Sequence, residues 1–346
     1  MTGKSDNKKY KEPEDIITAA HYGQLDLVKA HLEDGIDPNT VDEIGTSALH
    51  NAAKGGHWDI ARLLLEKNAS PRIEDGNRAT PLRLAIRAGH LEIVRLLLEC
   101  DPPTNETDET KLSSPSSLLR LAAGFGHTEI VQKFLDYNTP TLTSNGNPTA
   151  LQYAAMKGHH DVCELLLKHD KTLNRSLWTQ MVGPSLEVYS KDYEGNIPFA
   201  HAVDKAHVRT VDVFLLSYPE LRKTCDRHNE PHFHKAIRRG MVEVVRIFLN
   251  HGADTEMKDD QGRRALHVAI SAENMGFTDG IPAIIQLLLA HGAQVDAKDK
   301  YGSTAEFYSN NPKTRMVLRN HASAQSKGDA VPKAPLVTPP PPEYKA

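Results

Sequence analysis

Apolar residues in this chain return in the same order at a fixed interval. Ser47-Ala48-Leu49-His50, Ala52, Gly56-His57, Ile60 and Leu63-Leu64-Leu65 come back 33 residues later. The second copy reads Thr80-Pro81-Leu82-Arg83-Leu84-Ala85, Gly89-His90, Ile93 and Leu96-Leu97-Leu98. A self-similar period of this length is the signature of a stacked repeat. Within each copy the spacing predicts two short helices. Ser47 or Thr80 stands where an N-cap hydroxyl takes a free amide, and Pro81 occupies the first helical position, where a missing N–H costs nothing. Small Ala52, Ala53 and Ala85 let neighbouring helices approach closely. Gly56 or Gly89 ends the first helix in a left-handed conformation. Ile60, Leu63 and Leu64, with Ile93, Leu96 and Leu97, then face the next copy.

The same grammar runs through most of the chain, with interruptions. Glu14–Ala20 and Leu25–Glu33 read as a helix pair around Gly23 that lacks the entry turn, as a terminal cap does. Copies two and three span about 42–69 and 75–100. An extra stretch at 101–116 precedes a fourth copy that resumes at Leu119, Ala122 and Gly126-His127. The fifth keeps Thr149-Ala150-Leu151 and Gly158-His159. An apolar insertion follows at 173–188, with Trp178 and Met181, and is expected to pack on the stack. The sixth copy, from Asp192, replaces the turn glycine by Ala206, so 191–220 is expected to open first. A seventh (Asp226, His234, Gly240), an eighth (Asp259, His267) with extra residues at 274–280, and a partial ninth from Gly292 complete the series. Pro312–His321 reads as a polar cap.

These motifs resemble the ankyrin repeat, in about eight or nine units including caps. The resemblance implies an all-α solenoid of stacked helix-turn-helix units with β-hairpin-like tips, spanning 13–321. Residues 1–12 would be a flexible arm and 322–346 a disordered Pro-rich tail. It also implies a concave partner-binding face made of the hairpin tips and first helices, where side chains are released from packing. The tips fall at Glu43 and Ile44, Asn77 and Arg78, Tyr193 and Glu194, Arg227 and His228, Asp260 and Gln261, and Lys300 and Tyr301. Tyr and Arg are favoured interface anchors, so Tyr193, Arg227 and Tyr301 rank first. Taken singly, each of these positions also suits an ordinary solvated turn.

Composition changes this picture little. The 346 residues carry a formal net charge of −4 and 6% aromatics, so there is no overall basic character to suggest nucleic acid. Cys100, Cys163 and Cys225 form no CxxC, and no apolar run approaches the ~20 residues of a membrane span. A monomer of cytoplasm or nucleus is expected, without membrane or direct nucleic-acid partners.

Candidate chemistry is sparse. Histidine is abundant, at 18, and Cys225-x2-His228-x3-His232-x-His234 is the densest grouping. His234 falls on the repeat register and His228 on a hairpin tip, so no metal is expected. Asp42, Asp192, Asp226, Asp259 and Asp299 recur at one register and need no catalytic explanation. No Gly-x-Ser-x-Gly, phosphate loop or His-Glu-x-x-His occurs. No cofactor and no enzymatic activity are expected. In the tail, Pro341-Pro342-Glu343-Tyr344 is similar to the Pro-Pro-x-Tyr ligand of WW domains. By that resemblance Pro341 and Pro342 enter a proline groove and Tyr344 its own pocket. The leading reading is a non-enzymatic adaptor or scaffold holding a protein partner on its concave face. A transcription coregulator acting through a DNA-binding partner is the alternative, and an enzyme a remote one.

Overall fold

The computed structural model describes residues 15–102, 111–141, 147–173, 187–276 and 280–326, with side chains of 171–173 and 324–326 excepted. The arm at 1–12, half of the 101–116 insertion, most of the 173–188 insertion (Trp178 and Met181 included), and Pro341, Pro342 and Tyr344 lie outside the described residues. The chain divides into two compact units, residues 1–143 and 144–346.

The first unit holds α1 (Ile16–His21), α2 (Leu25–Glu33), α3 (Ala48–Gly55), α4 (Trp58–Glu66), α5 (Pro81–Ala88), α6 (Leu91–Cys100), α7 (Pro115–Phe125) and α8 (Thr128–Asp136). First helices pack in one row, α1 on α3 on α5 on α7, and second helices in another, α2 on α4 on α6 on α8. The sequence rules explain both. Ser47, Thr80 and Ser114 each accept a first-turn amide, and Gly56, Gly89 and Gly126 end their helices in the left-handed region. Ala52, Ala53 and Ala85 are fully buried, which brings successive first helices close. One detail shifts: Leu63 and Leu96 are only half-buried, while Ala61, Val94 and Leu98 join Ile60, Leu64, Ile93 and Leu97 in the core. The stripe is therefore rotated toward the following residue, Ala61 after Ile60 and Leu98 after Leu97, because each second helix is covered on one side by its own first helix.

The second unit repeats the plan. It contains α9 (Ala150–Lys157), α10 (His160–Leu173), α11 (Pro198–Asp204), α12 (Val208–Ser217), a 3-10 turn (Pro219–Lys223), α13 (His232–Arg238), α14 (Val242–Asn250), α15 (Ala265–Asn274), α16 (Ile281–Ala290), α17 (Ala305–Tyr308) and α18 (Pro312–Ser326). Again α9, α11, α13, α15 and α17 stack in sequence, as do α10, α12, α14 and α16. Its centre is aromatic. Phe199 on α11 meets Phe214 on α12 and Phe248 on α14, each at 5.8 Å between ring centroids, and Phe233 on α13 lies 5.5 Å from Phe248.

The turn between the two helices of a repeat couples neighbours. A Cβ placed on Gly89, at φ +81°, would stand 2.6 Å from the His127 imidazole of the following repeat. Glycine there serves both the backbone and the arriving ring. At the corresponding place Ala206 holds φ +55°, and the N-cap of the next second helix is Met241 instead of histidine. Loss of the glycine and loss of the histidine go together. Ala206→Gly should raise stability by about 0.5–1 kcal/mol, since an L-residue is strained in this region. An unchanged urea midpoint for that variant would mean the strain is relieved elsewhere.

Candidate partner-binding surface

Among the described residues, six loops that precede a first helix are each built around one carboxylate. Asp42 Oδ1 accepts the amides of Ile44 and Thr46 at 3.0 and 2.7 Å. Asp75 does the same for Asn77 and Ala79 at 2.8 and 2.9 Å. In the second unit Asp192 holds Glu194 and Asn196, both at 2.9 Å, and Asp226 holds His228 and Glu230 at 2.8 and 3.1 Å. Asp259 holds Gln261 and Arg263 at 2.9 Å each, and Asp299 holds Tyr301 and Ser303 at 2.9 and 3.0 Å. Two short backbone bonds close each turn; Gly45 N donates to Asp42 O, and Asp42 N to Thr46 O, both at 3.0 Å. Isolated antiparallel bridges join Val41 to Ser47, Cys225 to Pro231 and Lys298 to Thr304. A short Asp side chain that satisfies two loop amides explains why this residue recurs.

The second carboxylate oxygen is served differently in each repeat. His201 Nε2 donates to Asp192 Oδ2 at 2.7 Å, and Tyr308 Oη donates to Asp299 Oδ2 at 2.7 Å. Lys235 Nζ lies 3.7 Å from Asp226 Oδ2, and Arg263 Nε donates to Asp259 Oδ2 at 2.8 Å. His201, Lys235 and Tyr308 all stand nine residues after their aspartate, a register that carries no common residue type and so leaves no sequence signal. Burial alone would raise Asp226 and Asp299. At Asp226 the loop amides outweigh it, aided by Lys235; at Asp299 the Tyr308 hydroxyl leads and the loop amides add to it, so both carboxyls are held below their ordinary value. The loops at Asp226 and Asp299 are thus anchored by ionised carboxylates.

Neighbouring loops are tied side by side. Gly76 N donates to Ile44 O at 2.8 Å in the first unit. In the second, Lys300 N donates to Gln261 O at 3.2 Å, and Asn229 Nδ2 to Asp260 Oδ1 at 2.6 Å. One step further back, His50 Nε2 reaches Ala79 O at 3.0 Å, Gln152 Nε2 reaches Asn196 O at 3.1 Å, and His267 Nε2 reaches Ser303 O at 3.1 Å. Three first helices, α3, α9 and α15, therefore hold the loop of the repeat that follows them.

All twelve tip residues singled out from sequence are exposed: Glu43, Ile44, Asn77, Arg78, Tyr193, Glu194, Arg227, His228, Asp260, Gln261, Lys300 and Tyr301. Tyr193 is 80% exposed, Ile44 68% and Tyr301 66%. Tyr301 is nonetheless braced, with its hydroxyl 3.3 Å from Gln261 Oε1 and Lys300 Nζ 5.1 Å from its ring centroid. Arg227 Nε donates to His228 Nε2 at 3.1 Å. Phe307, 74% exposed, was not singled out. It stands where His50 and His267 reach a following loop, and here no further loop follows within the repeat series.

The other candidate chemistry does not assemble. Cys225 and His228 are exposed, whereas His232 and His234 are buried. Among the described residues no group of three or more His, Cys, Asp or Glu converges as a metal site requires. Cys100, Cys163 and Cys225 are free thiols, and no described helix is long and apolar enough to cross a membrane.

The match to a family model agrees with this architecture. The family model for ankyrin repeats (3 copies) matches residues 16–110, 103–177, 119–225 and 199–299. The Neurogenic locus Notch protein of Drosophila melanogaster is 32% identical over 68 residues, which is 20% of this chain and 2% of that protein's length. Among solved structures, the human ASB11 ankyrin repeat domain is 22% identical with a TM-score of 0.47, covering 82% of this chain and 99% of that domain. With family matches running from residue 16 to 299 and loops, caps and stacked helices in the matching places, the chain belongs to the ankyrin repeat family, whose repeats are protein–protein interaction modules.

Proposed function

We propose that this protein is a non-enzymatic adaptor that holds a protein partner along its hairpin tips and recruits a second, WW-domain partner through Pro341, Pro342 and Tyr344. What carries the first half is the row of carboxylate-anchored, mutually bonded loops whose outward side chains are free of packing duty. Such a surface is ordered before the partner arrives, so little conformational entropy is lost on binding. Tyr193, Arg227 and Tyr301 are its anchors. The second half rests on the sequence motif alone. Two modules on one chain raise the effective concentration of one partner near the other, which is how an adaptor acts physically. We place the protein in cytoplasm or nucleus, as a monomer.

The test compares partners captured by the full chain, by a Tyr193→Ala, Arg227→Ala, Tyr301→Ala triple variant, and by a Pro341→Ala, Tyr344→Ala variant. The loop variant should lose one partner set, each anchor contributing about 1–2 kcal/mol or more. The tail variant should lose only WW-domain proteins. Identical captures from all three would rule out both halves.

A further inference from the structure

His232 is the residue that the repeat pattern does not explain. It stands six residues after the loop aspartate, where the other repeats place Ala48, Pro81, Pro198, Ala265 and Ala305. It is 1% exposed, and neither ring nitrogen has a hydrogen-bond partner. One face rests edge-on against Phe199, at 5.7 Å. Burial, with Lys235 adding to it, pushes this histidine down to about 4, so at neutral pH the ring is uncharged and offers one donor and one acceptor. A buried polar group left unpaired is costly, and proteins seldom keep one without a use.

His232 lines a cleft of about 240 Å³ between the loops at 192–196 and 226–230, within the second compact unit. Lys191 and Arg227 line it as well, and both are exposed, which puts them at its rim. Neither cation forms an ion pair with a carboxylate among the described residues. Asp226 also lines the cleft, but its Oδ1 already accepts two loop amides, and its Oδ2 lies 3.7 Å from Lys235 Nζ, which pairs more closely with Asp204 at 2.6 Å. The Cys225 thiol is pushed up by burial and by the nearby carboxylates, so it carries no charge at neutral pH. Two exposed cations against one anion whose Oδ1 is taken up by loop amides favour a negative occupant. The volume falls below the ~300–1,000 Å³ of sites for drug-sized ligands and suits a single side chain.

We infer that this cleft receives a carboxylate side chain, Asp or Glu, from an acidic segment of the protein partner, clamped by Lys191 and Arg227 and hydrogen-bonded by His232. The inference deepens the reading of the loops as a partner-binding face and rests on it. It adds that the partner presents negative charge to the loops at 192–196 and 226–230. Charge-assisted hydrogen bonds to a carboxylate are the strong ones, and a guanidinium beside an ammonium is well suited to make them.

The probe is a hexaglutamate peptide, with hexaglutamine as its neutral counterpart, titrated into histidine-labelled full-length protein. The His232 imidazole resonances should shift saturably with hexaglutamate and stay still with hexaglutamine. Lys191→Gln and Arg227→Gln should each weaken binding about tenfold. Lys313→Gln, an exposed lysine on α18, should not weaken it. His232→Ala, the residue that other repeats carry at this place, should fold and bind more weakly. Unchanged binding by His232→Ala, equal weakening by Lys313→Gln, or no saturable shift would each overturn the inference. If hexaglutamate fails while the Tyr193, Arg227 and Tyr301 triple variant still loses its partner, the cleft assignment falls alone. If that variant keeps its partner while hexaglutamate titrates His232, the loop surface falls and with it the assignment of the cleft to that partner, because Arg227 belongs to both.

Discussion

Between pH 6.5 and pH 4 the protein should lose about 3 kcal/mol of stability for each of two histidines, His232 and His234. Both are 1% exposed, and burial pushes both down to about 4. Around His232, Lys235 lowers it further while Asp226, Asp204 and Glu230 oppose. Around His234, Asp259 and Glu230 raise it and Arg263 lowers it, none of them enough to offset burial. The folded-state value lies below the unfolded one, so between the two the unfolded chain binds protons that the folded chain does not. Stability is complete above pH 6.5 and falls with pH until both forms are protonated below about 4. His50 is also lowered, chiefly by burial, and contributes in the same direction. Urea unfolding across this range should show the loss, and His232→Ala with His234→Ala should remove most of the difference. Parallel curves for parent and double variant would show that these rings are hydrated in the folded protein.

Phe199→Ala should destabilise the second compact unit by about 3–5 kcal/mol. The ring is fully buried and touches aromatic partners on three other helices: Phe214 on α12, Phe248 on α14 and His232 on α13. Its loss leaves a cavity that three stiff rings cannot collapse into without leaving their own rotamers. Urea unfolding at pH 7.5 measures the cost, and a midpoint close to the parent's would place Phe199 outside the core. The same residue bears on 191–220, which its weak match to the repeat marks as the segment to open first. A weak motif match is not weak packing: the segment lost a turn glycine and gained an aromatic cluster. Hydrogen exchange in the parent should therefore find 198–217 as protected as 232–250, and Phe199→Ala should release it.

The two predictions meet at the interface of α11 and α13, which is also where the cleft opens. A ring kept neutral and unpaired in the core is a liability when acid arrives, and an asset if a partner's carboxylate is waiting for it. The hexaglutamate titration and the pH series therefore read the same imidazole from opposite sides.

By itself the sequence determined the repeat and nearly everything local to it. Ser47, Thr80 and Thr149 as N-caps, Gly56 and Gly89 as left-handed stops, and the positions of the hairpin tips follow from short-range steric and hydrogen-bonding rules that repeat with the period. Tertiary structure decided what neighbouring repeats do to one another. Within single repeats it put His201, Lys235, Arg263 and Tyr308 on the free oxygens of the loop aspartates, a task that any donor of suitable reach can perform and that no residue type betrays. It also gave His232 its meaning. On paper that residue was one member of a Cys and His grouping with no ligand geometry. In the fold it is a buried, unpartnered ring between two loops, because the alanine or proline of other repeats is absent there and Phe199 of the preceding repeat seals its other side. Caps, turns and the partners of the loop aspartates are set within about nine residues of chain, whereas the bonds of His50, Gln152 and His267 to the following loop join residues 29, 44 and 36 positions apart.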